Sequence, residues 1–191
     1  QFRNKAKGIM CDQIYTGPLD DMLKDGDNSK TTWSRLLSTG GGRTTCSYFL
    51  PGHTQILYAT THLFSDTCQA EPKRVNGKYL WPVYGEYEIV IADLKGNIVK
   101  RLTNNHAYDA EAVVSPKGDK ILFTSDRSGD LELYTMNMDG SNVKRITNSV
   151  GYDGGANWSP DGSQIIWRAS QFDADSERAE YKADLKKHLV S

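Results

Sequence analysis

Two stretches of this chain repeat each other at a spacing of 44 residues. Residues 110–123 align without a gap with residues 154–167. Two shorter matches upstream have the same spacing, residues 101–104 with 145–148 and residues 108–109 with 152–153. A fixed period of this length is typical of proteins that stack one supersecondary unit many times.

Each repeat has the pattern of several short β-strands. Residues 120–124, 131–136 and 142–147 are rich in β-branched and aromatic side chains, and several positions alternate between apolar and polar. Pairs such as Lys117-Gly118 and Asp139-Gly140 separate the strands, and glycine accepts the positive φ of a hairpin turn. Four strands in about 44 residues is the size of one propeller blade. The sequence therefore predicts an all-β fold, a β-propeller of four-stranded antiparallel blades.

A third copy of the unit lies earlier in the chain and carries an insertion. Pro51 corresponds to Pro116, but the two are 65 residues apart, so 21 extra residues fall within 62–85. Near the end of the chain, acidic residues precede basic ones, and this order suits the dipole of a helix. We expect one partial propeller domain over 1–191, made of a half blade (11–38), a blade with insertion 62–85 (45–103), a second blade (109–148), a half blade (153–170) and a helical insertion (173–189).

These motifs resemble the WD40-like repeat of TolB-type propellers. The resemblance rests on Ser-Pro-x-Gly-x-x-Ile-x-aromatic at 115–123, Leu-Tyr-Thr-Met-Asn-Met-Asp-Gly-Ser at 133–141 and Lys-Arg-Ile-Thr-Asn at 144–148. Related repeats form the propeller domains of prolyl-oligopeptidase-type serine peptidases and of the tricorn protease. The resemblance implies a six-bladed ring and a location outside the cytoplasm, periplasmic or secreted. It is specific for architecture and weak for activity, because one fold hosts many functions.

Three blade equivalents are too few to close a ring, since propellers have about four to eight blades. One explanation is that the chain is a fragment cut within blades at both ends. The other is self-association, in which the outer strands of one copy join the inner strands of a second. Both explanations avoid an open sheet edge.

Composition excludes several classes of protein. The 191 residues carry a net charge of −1, so no global excess of basic residues indicates nucleic acid binding. Mean hydropathy is −0.59, and no window approaches the roughly 20 apolar residues of a membrane span. The chain has no Gly-x-Ser-x-Gly elbow, no His-Glu-x-x-His motif and no phosphate-binding glycine loop. We therefore expect neither catalysis nor a cofactor in this segment.

Charged residues next to the innermost strands are the first candidate site. Asp109 and Asp153 occupy the same place in the repeat, Glu111 follows Asp109, and Arg43 falls at the position of Tyr108. At the mouth of the central channel, such residues from successive blades would converge and could bind a cation or a basic peptide terminus. The alternative is that each aspartate caps its own turn.

Three aromatic residues of the insertion are the second candidate site. Tyr79, Trp81 and Tyr84 are of the kind enriched at binding hot spots. Packing of the insertion against its own blade explains them equally well.

The three cysteines, Cys11, Cys46 and Cys68, fit no metal-binding spacing. All three fall near the same face of the predicted propeller, where we consider two pairings, Cys46–Cys68 or Cys11–Cys46. Three reduced thiols, or a metal site using His62 and Cys68, are the alternatives. The extracytoplasmic setting implied by the TolB resemblance would allow oxidation.

The resulting hypothesis is a non-catalytic propeller that serves as a protein-interaction scaffold outside the cytoplasm. A second hypothesis is an accessory propeller that gates substrate access to a larger hydrolase of the serine-peptidase type. A third, binding of a carbohydrate or small ligand, depends only on the loop-face aromatic residues.

Overall fold

The computed structural model describes residues 11–24, 34–69 and 80–190. The described part of the chain starts with a pair of two-residue strands, β1 (Tyr15–Thr16) and β2 (Arg35–Leu36), and the short helix α1 (Leu19–Lys24) lies between them in sequence. Two four-stranded antiparallel sheets follow, and a two-stranded sheet comes after them.

The first four-stranded sheet contains β3 (Thr44–Phe49), β4 (Gln55–Thr60), β6 (Glu88–Asp93) and β7 (Ile98–Arg101), while β5 (Trp81–Pro82) lies in the insertion. The second contains β8 (Asp109–Val114), β9 (Lys120–Ser125), β10 (Glu132–Asn137) and β11 (Lys144–Arg145). The last sheet pairs β12 (Asp153–Trp158) with β13 (Ile165–Ala169). Strands follow chain order within both four-stranded sheets, which confirms the predicted propeller of four-stranded antiparallel blades.

The hydrophobic core lies between blades. Leu57 and Ile89 of the first blade pack with Phe123 and Met136 of the second, and all four side chains are fully buried. A second cluster joins Leu122 to the partial blade that follows. Burial of one such side chain contributes about 1.5–3 kcal/mol, so neighbouring blades stabilise each other.

The Arg-(Leu/Ile)-Thr-Asn motif has a structural role that recurs in both complete blades. Glu88 of β6 is fully buried and accepts a hydrogen bond from Arg101 Nη2 at 3.0 Å. In the second blade, Glu132 is also fully buried and accepts one from Arg145 Nη2. The threonine of each motif accepts a hydrogen bond from a backbone N–H of the adjacent strand, as Thr103 Oγ1 does from Ile89 at 2.9 Å.

The amino-terminal partial blade replaces both charges of this pair. Gln13 stands where the other blades have glutamate, and its Oε1 accepts hydrogen bonds from Ser38 Oγ at 2.6 Å and Gly40 N at 3.1 Å. Leu36, which pairs with Tyr15 as Arg145 pairs with Tyr134, stands where the other blades have arginine. A buried carboxylate is costly without a cation beside it. Because this blade has Leu36 in place of the arginine, the neutral amide of Gln13 replaces the carboxylate.

The insertion and the end of the chain form a two-stranded ribbon. Strand β14 (Leu189–Val190) pairs antiparallel with β5, and it is preceded by the helix α2 (Asp175–Leu185). Tyr181 of α2 is buried, and its hydroxyl donates a hydrogen bond to Asp130. The predicted stretch 173–189 thus contains the helix, whereas the pairing of its end with the insertion was not foreseen.

The Asp161 carboxylate stabilises the hairpin turn before β13, and the pKa of this group can be measured. Hydrogen bonds from Ser159 and Ser163 lower the pKa of Asp161 from 3.8 to about 2. Because the folded-state pKa is depressed, the stabilisation is complete above pH 3.8 and is lost as the pH falls through about 2. In a carboxyl-carbon NMR titration we expect a midpoint of about 2 for Asp161 and a higher midpoint in Ser159→Ala. A midpoint near 3.8 in the unaltered protein would contradict this assignment.

Candidate functional site

A cavity of about 240 Å³ lies where β3 and β8 approach the insertion strand β5. Its wall is made of charged and aromatic side chains together with one threonine and one proline: Asp12, Arg43, Thr45, Trp81, Pro82, Tyr87, Tyr108 and Glu111. The structure therefore brings together Arg43 and Glu111 of the predicted channel rim and Trp81 of the predicted aromatic group. We call this space the inter-blade cavity.

Arg43 is the cation of the inter-blade cavity, and only 9% of the residue is exposed. Its Nη2 donates a hydrogen bond to the backbone oxygen of Gln69 at 3.2 Å, and its Nη1 lies 3.7 Å from Asp12 Oδ2. The preceding Gly42 has φ of +58°, and a Cβ there would lie 2.6 Å from the backbone nitrogen of His62. A glycine at 42 is thus required for the approach of β3 to the insertion.

Glu111 is held at a bulge in the inner strand β8. The residue has φ of +57°, and the strand register shifts between Ala110 and Val113. A bulge of this kind re-aims a side chain. Glu111 Oε2 accepts hydrogen bonds from Thr124 Oγ1 at 2.7 Å, Gly155 N at 2.8 Å and the Tyr152 hydroxyl at 2.9 Å. The carboxylate is therefore positioned by both the second blade and the partial blade after it.

Aromatic rings form the remaining wall of the inter-blade cavity. The Tyr87 and Tyr108 rings meet edge to face at 5.6 Å, and burial raises the pKa of both hydroxyls, which stay protonated at neutral pH. Trp81 contacts Tyr152 edge to face at 5.2 Å, and the Arg168 guanidinium lies 5.6 Å from the Trp81 ring centre. Such contacts fix the rings before any ligand arrives.

The two aspartates of the predicted rim bind neighbours within the protein. Asp109 is fully buried and accepts hydrogen bonds from Arg127 Nη2 at 2.8 Å and Asn105 Nδ2 at 2.7 Å. Asp153 accepts hydrogen bonds from Trp167 Nε1 at 3.0 Å and a serine hydroxyl at 2.7 Å. Both oxygens of each carboxylate are thus engaged by donors, and these contacts position the inner strands.

Of the other two predicted aromatic residues, Tyr84 lies next to the inter-blade cavity. Tyr84 is half-buried, and its ring stacks on Tyr87 at 6.4 Å, just behind the wall of the inter-blade cavity. Tyr79 lies outside the described residues.

The disulfide differs from both predicted pairings. Cys11 is bonded to Cys68, with their Cα atoms 5.6 Å apart, and Cys46 is an exposed free cysteine. The reason is that the insertion folds back onto the segment at Cys11, while the bulge at Cys46, with φ of +50°, lies in the inner strand. Cys68 is therefore not available as a metal ligand beside His62.

Within residues 11–24, 34–69 and 80–190, no group of three or more histidine, cysteine or acidic side chains is arranged to bind a metal ion. Neither helix in this part of the chain combines the length and the apolar character needed to cross a bilayer.

Comparison with known proteins identifies the family. Residues 81–188, more than half of the chain, match the PD40 family, the TolB beta propeller domain. The chain belongs to this family of TolB-type β-propellers. No curated protein matches it.

Solved TolB-type propellers and peptidase propellers are similar in structure. TolB from Acinetobacter baumannii has a TM-score of 0.54 and 24% identity, over 81% of this chain and 31% of that one. A puromycin-hydrolyzing peptidase of Mycobacterium tuberculosis has a TM-score of 0.53 and 12% identity, over 84% of this chain and 23% of that one. At these identities the likeness shows the fold alone, and the TolB-like chain spans under a third of each.

Sequence reasoning missed five of the eight residues that line the inter-blade cavity, and three of these five, Asp12, Tyr87 and Tyr108, carry a charge or an aromatic ring. A signal for Tyr108 existed, because it precedes Asp109 at the same repeat position as Arg43. Asp12 and Tyr87 also share a repeat position, since they directly precede Gln13 and Glu88, and the backbone oxygen of each accepts a hydrogen bond from the next inner strand.

Proposed function

We propose that this TolB-like chain is a non-catalytic, extracytoplasmic protein-interaction scaffold whose inter-blade cavity binds a segment of a partner protein. The observation that carries the proposal is the wall of the cavity, where charged groups of both signs lie among aromatic rings. Membership of the TolB propeller family supports an interaction role, and a disulfide is typical of proteins in oxidising compartments.

The size of the cavity favours side chains of a peptide over a whole small ligand. Its volume of about 240 Å³ is below the range of about 300–1,000 Å³ that is usual for small-molecule pockets. Aromatic walls provide apolar contact area at low cost in conformational entropy.

The charges indicate which peptide would bind. The Arg43 guanidinium has five N–H donors in a planar fork, which suits a carboxylate. Glu111 is a carboxylate positioned by three donors, and it suits a basic group. We therefore propose that the partner segment carries neighbouring acidic and basic side chains next to an apolar one.

Selection from a displayed library of random dodecapeptides tests this function. We expect enrichment of peptides that combine an acidic, a basic and an apolar residue, with affinities measured afterwards by calorimetry. Arg43→Gln and Glu111→Gln should each weaken binding about tenfold, the effect of one hydrogen bond to a charged group. Trp81→Ala should weaken it by a similar factor through lost contact area.

The matched control is Val99→Ala, because Val99 is 54% exposed on the outer strand β7, away from the cavity. This variant should bind the selected peptides as the unaltered protein does. The proposal would be overturned if no peptide motif were enriched, or if the cavity variants and Val99→Ala bound the peptides equally well.

A further inference from the structure

Arg43 is a departure of this chain from its own repeat. The equivalent positions in the following units are Tyr108 and Tyr152, both buried aromatic residues. An arginine at such a position is costly to bury unless its charge is held by nearby groups. The departure occurs in the only complete blade of the described chain that carries an insertion between its second and third strands.

Among the described residues, two groups that contact the Arg43 guanidinium come from segments distant in sequence. One is the start of the described chain, where Asp12 lies 3.7 Å from Nη1. The other is the first part of the insertion, where the backbone oxygen of Gln69 accepts from Nη2 at 3.2 Å. Asp12 lies just before β1 of the amino-terminal partial blade, whereas Gln69 lies in the insertion, so the place of Gln69 relative to Asp12 depends on what joins the two segments.

A covalent bond fastens these two segments directly beside Arg43. Cys11 precedes Asp12 and Cys68 precedes Gln69, and the disulfide joins positions separated by 57 residues. Further contacts continue the connection into β3, since Thr44 N and Thr44 Oγ1 both donate to the backbone oxygen of Asp12, at 3.1 and 3.0 Å.

We propose that the Cys11–Cys68 disulfide positions the Arg43 guanidinium in the inter-blade cavity and so determines how strongly the cavity selects an acidic group on its ligand. This inference rests on the proposed function. The disulfide is a positioning element and contacts no ligand. When it is broken, the segment carrying Gln69 loses its covalent link to the segment carrying Asp12, and Arg43 must be ordered again each time a ligand binds.

The test measures coupling between the disulfide and the acidic residue of a selected peptide. Two proteins are compared, both with Cys46→Ser to prevent thiol exchange, and one also with Cys11→Ser and Cys68→Ser. Each is titrated by calorimetry with a selected peptide and with the same peptide carrying an amide in place of its acidic side chain. In the disulfide-bonded protein the amide should weaken binding about tenfold, whereas in the disulfide-free protein it should change affinity less than twofold.

A control variant distinguishes loss of the Arg43 position from a general loss of protein stability. Leu133→Ala removes a fully buried side chain of the second blade, far in sequence from both cysteines, and keeps the disulfide. It should retain the tenfold effect of the acidic group. Retention of that effect in the disulfide-free protein would overturn the inference, as would its loss in Leu133→Ala. If none of the selected peptides binds the disulfide-bonded protein, the proposed function itself would be overturned.

Discussion

Replacement of Arg145 by leucine is expected to lower the free energy of unfolding by about 2–3 kcal/mol. The reason is that Glu132 is fully buried, and Arg145 is the cation hydrogen-bonded to its Oε1. Removal of one partner of a buried pair leaves an uncompensated charge, which costs about 3–5 kcal/mol when the pair is fully buried. We expect the lower figure because 34% of the Arg145 side chain is exposed.

The chain supplies its own control for this experiment. In the amino-terminal partial blade, Gln13 and Leu36 occupy the two positions of the pair. The double variant Glu132→Gln/Arg145→Leu copies that solution and should lose only about 1 kcal/mol, since a neutral amide costs far less to bury than an unpaired carboxylate. Urea unfolding followed by circular dichroism measures both values. A double variant no more stable than Arg145→Leu would show that charge pairing is not the cause.

Loss of the Cys11–Cys68 disulfide is expected to have the largest effect on stability, about 3–4 kcal/mol. A cross-link restricts the unfolded chain, and a separation of 57 residues closes a long loop. The comparison is between Cys46→Ser, which retains the disulfide, and the variant that also carries Cys11→Ser and Cys68→Ser. Urea unfolding should show the loss, and addition of a reductant should bring Cys46→Ser to the same stability.

Urea unfolding of the cysteine variants can also give two other results. If reductant leaves the stability of Cys46→Ser unchanged, the disulfide does not contribute the expected stabilisation, and the prediction is wrong. If the midpoint of unfolding shifts while its denaturant dependence is also altered, the cross-link has changed the compactness of the unfolded state.

Much of the fold followed from local patterns that recur. The spacing of 44 residues, the strand-like runs and the glycine turns predicted four-stranded blades, which the structure contains. The helix near the end of the chain was also predicted, because the order of acidic and basic residues along it suits the helix dipole. Each of these signals lies within a few residues of the element it predicts.

The candidate site was predictable only in part. Arg43, Glu111 and Trp81 were recognised as candidates, and they line one cavity together with Asp12 and two tyrosines. The two rim aspartates were assigned to the same place, but the repeat pattern could not show that Arg127 and Trp167 would reach their carboxylates. The position of a residue in the repeat predicts where its backbone lies. It does not predict which donor forms a hydrogen bond with its side chain.

The blades of this TolB-like propeller can be predicted from the amino-acid order, because strand alternation and turn chemistry act over a few residues and repeat along the chain. The Cys11–Cys68 bond, the pairing of β5 with β14 and the cavity that contains both Arg43 and Glu111 become visible only in three dimensions. All three depend on how an insertion packs across neighbouring blades. Such packing is set by the shapes and distances of groups far apart in sequence, and no local period encodes it.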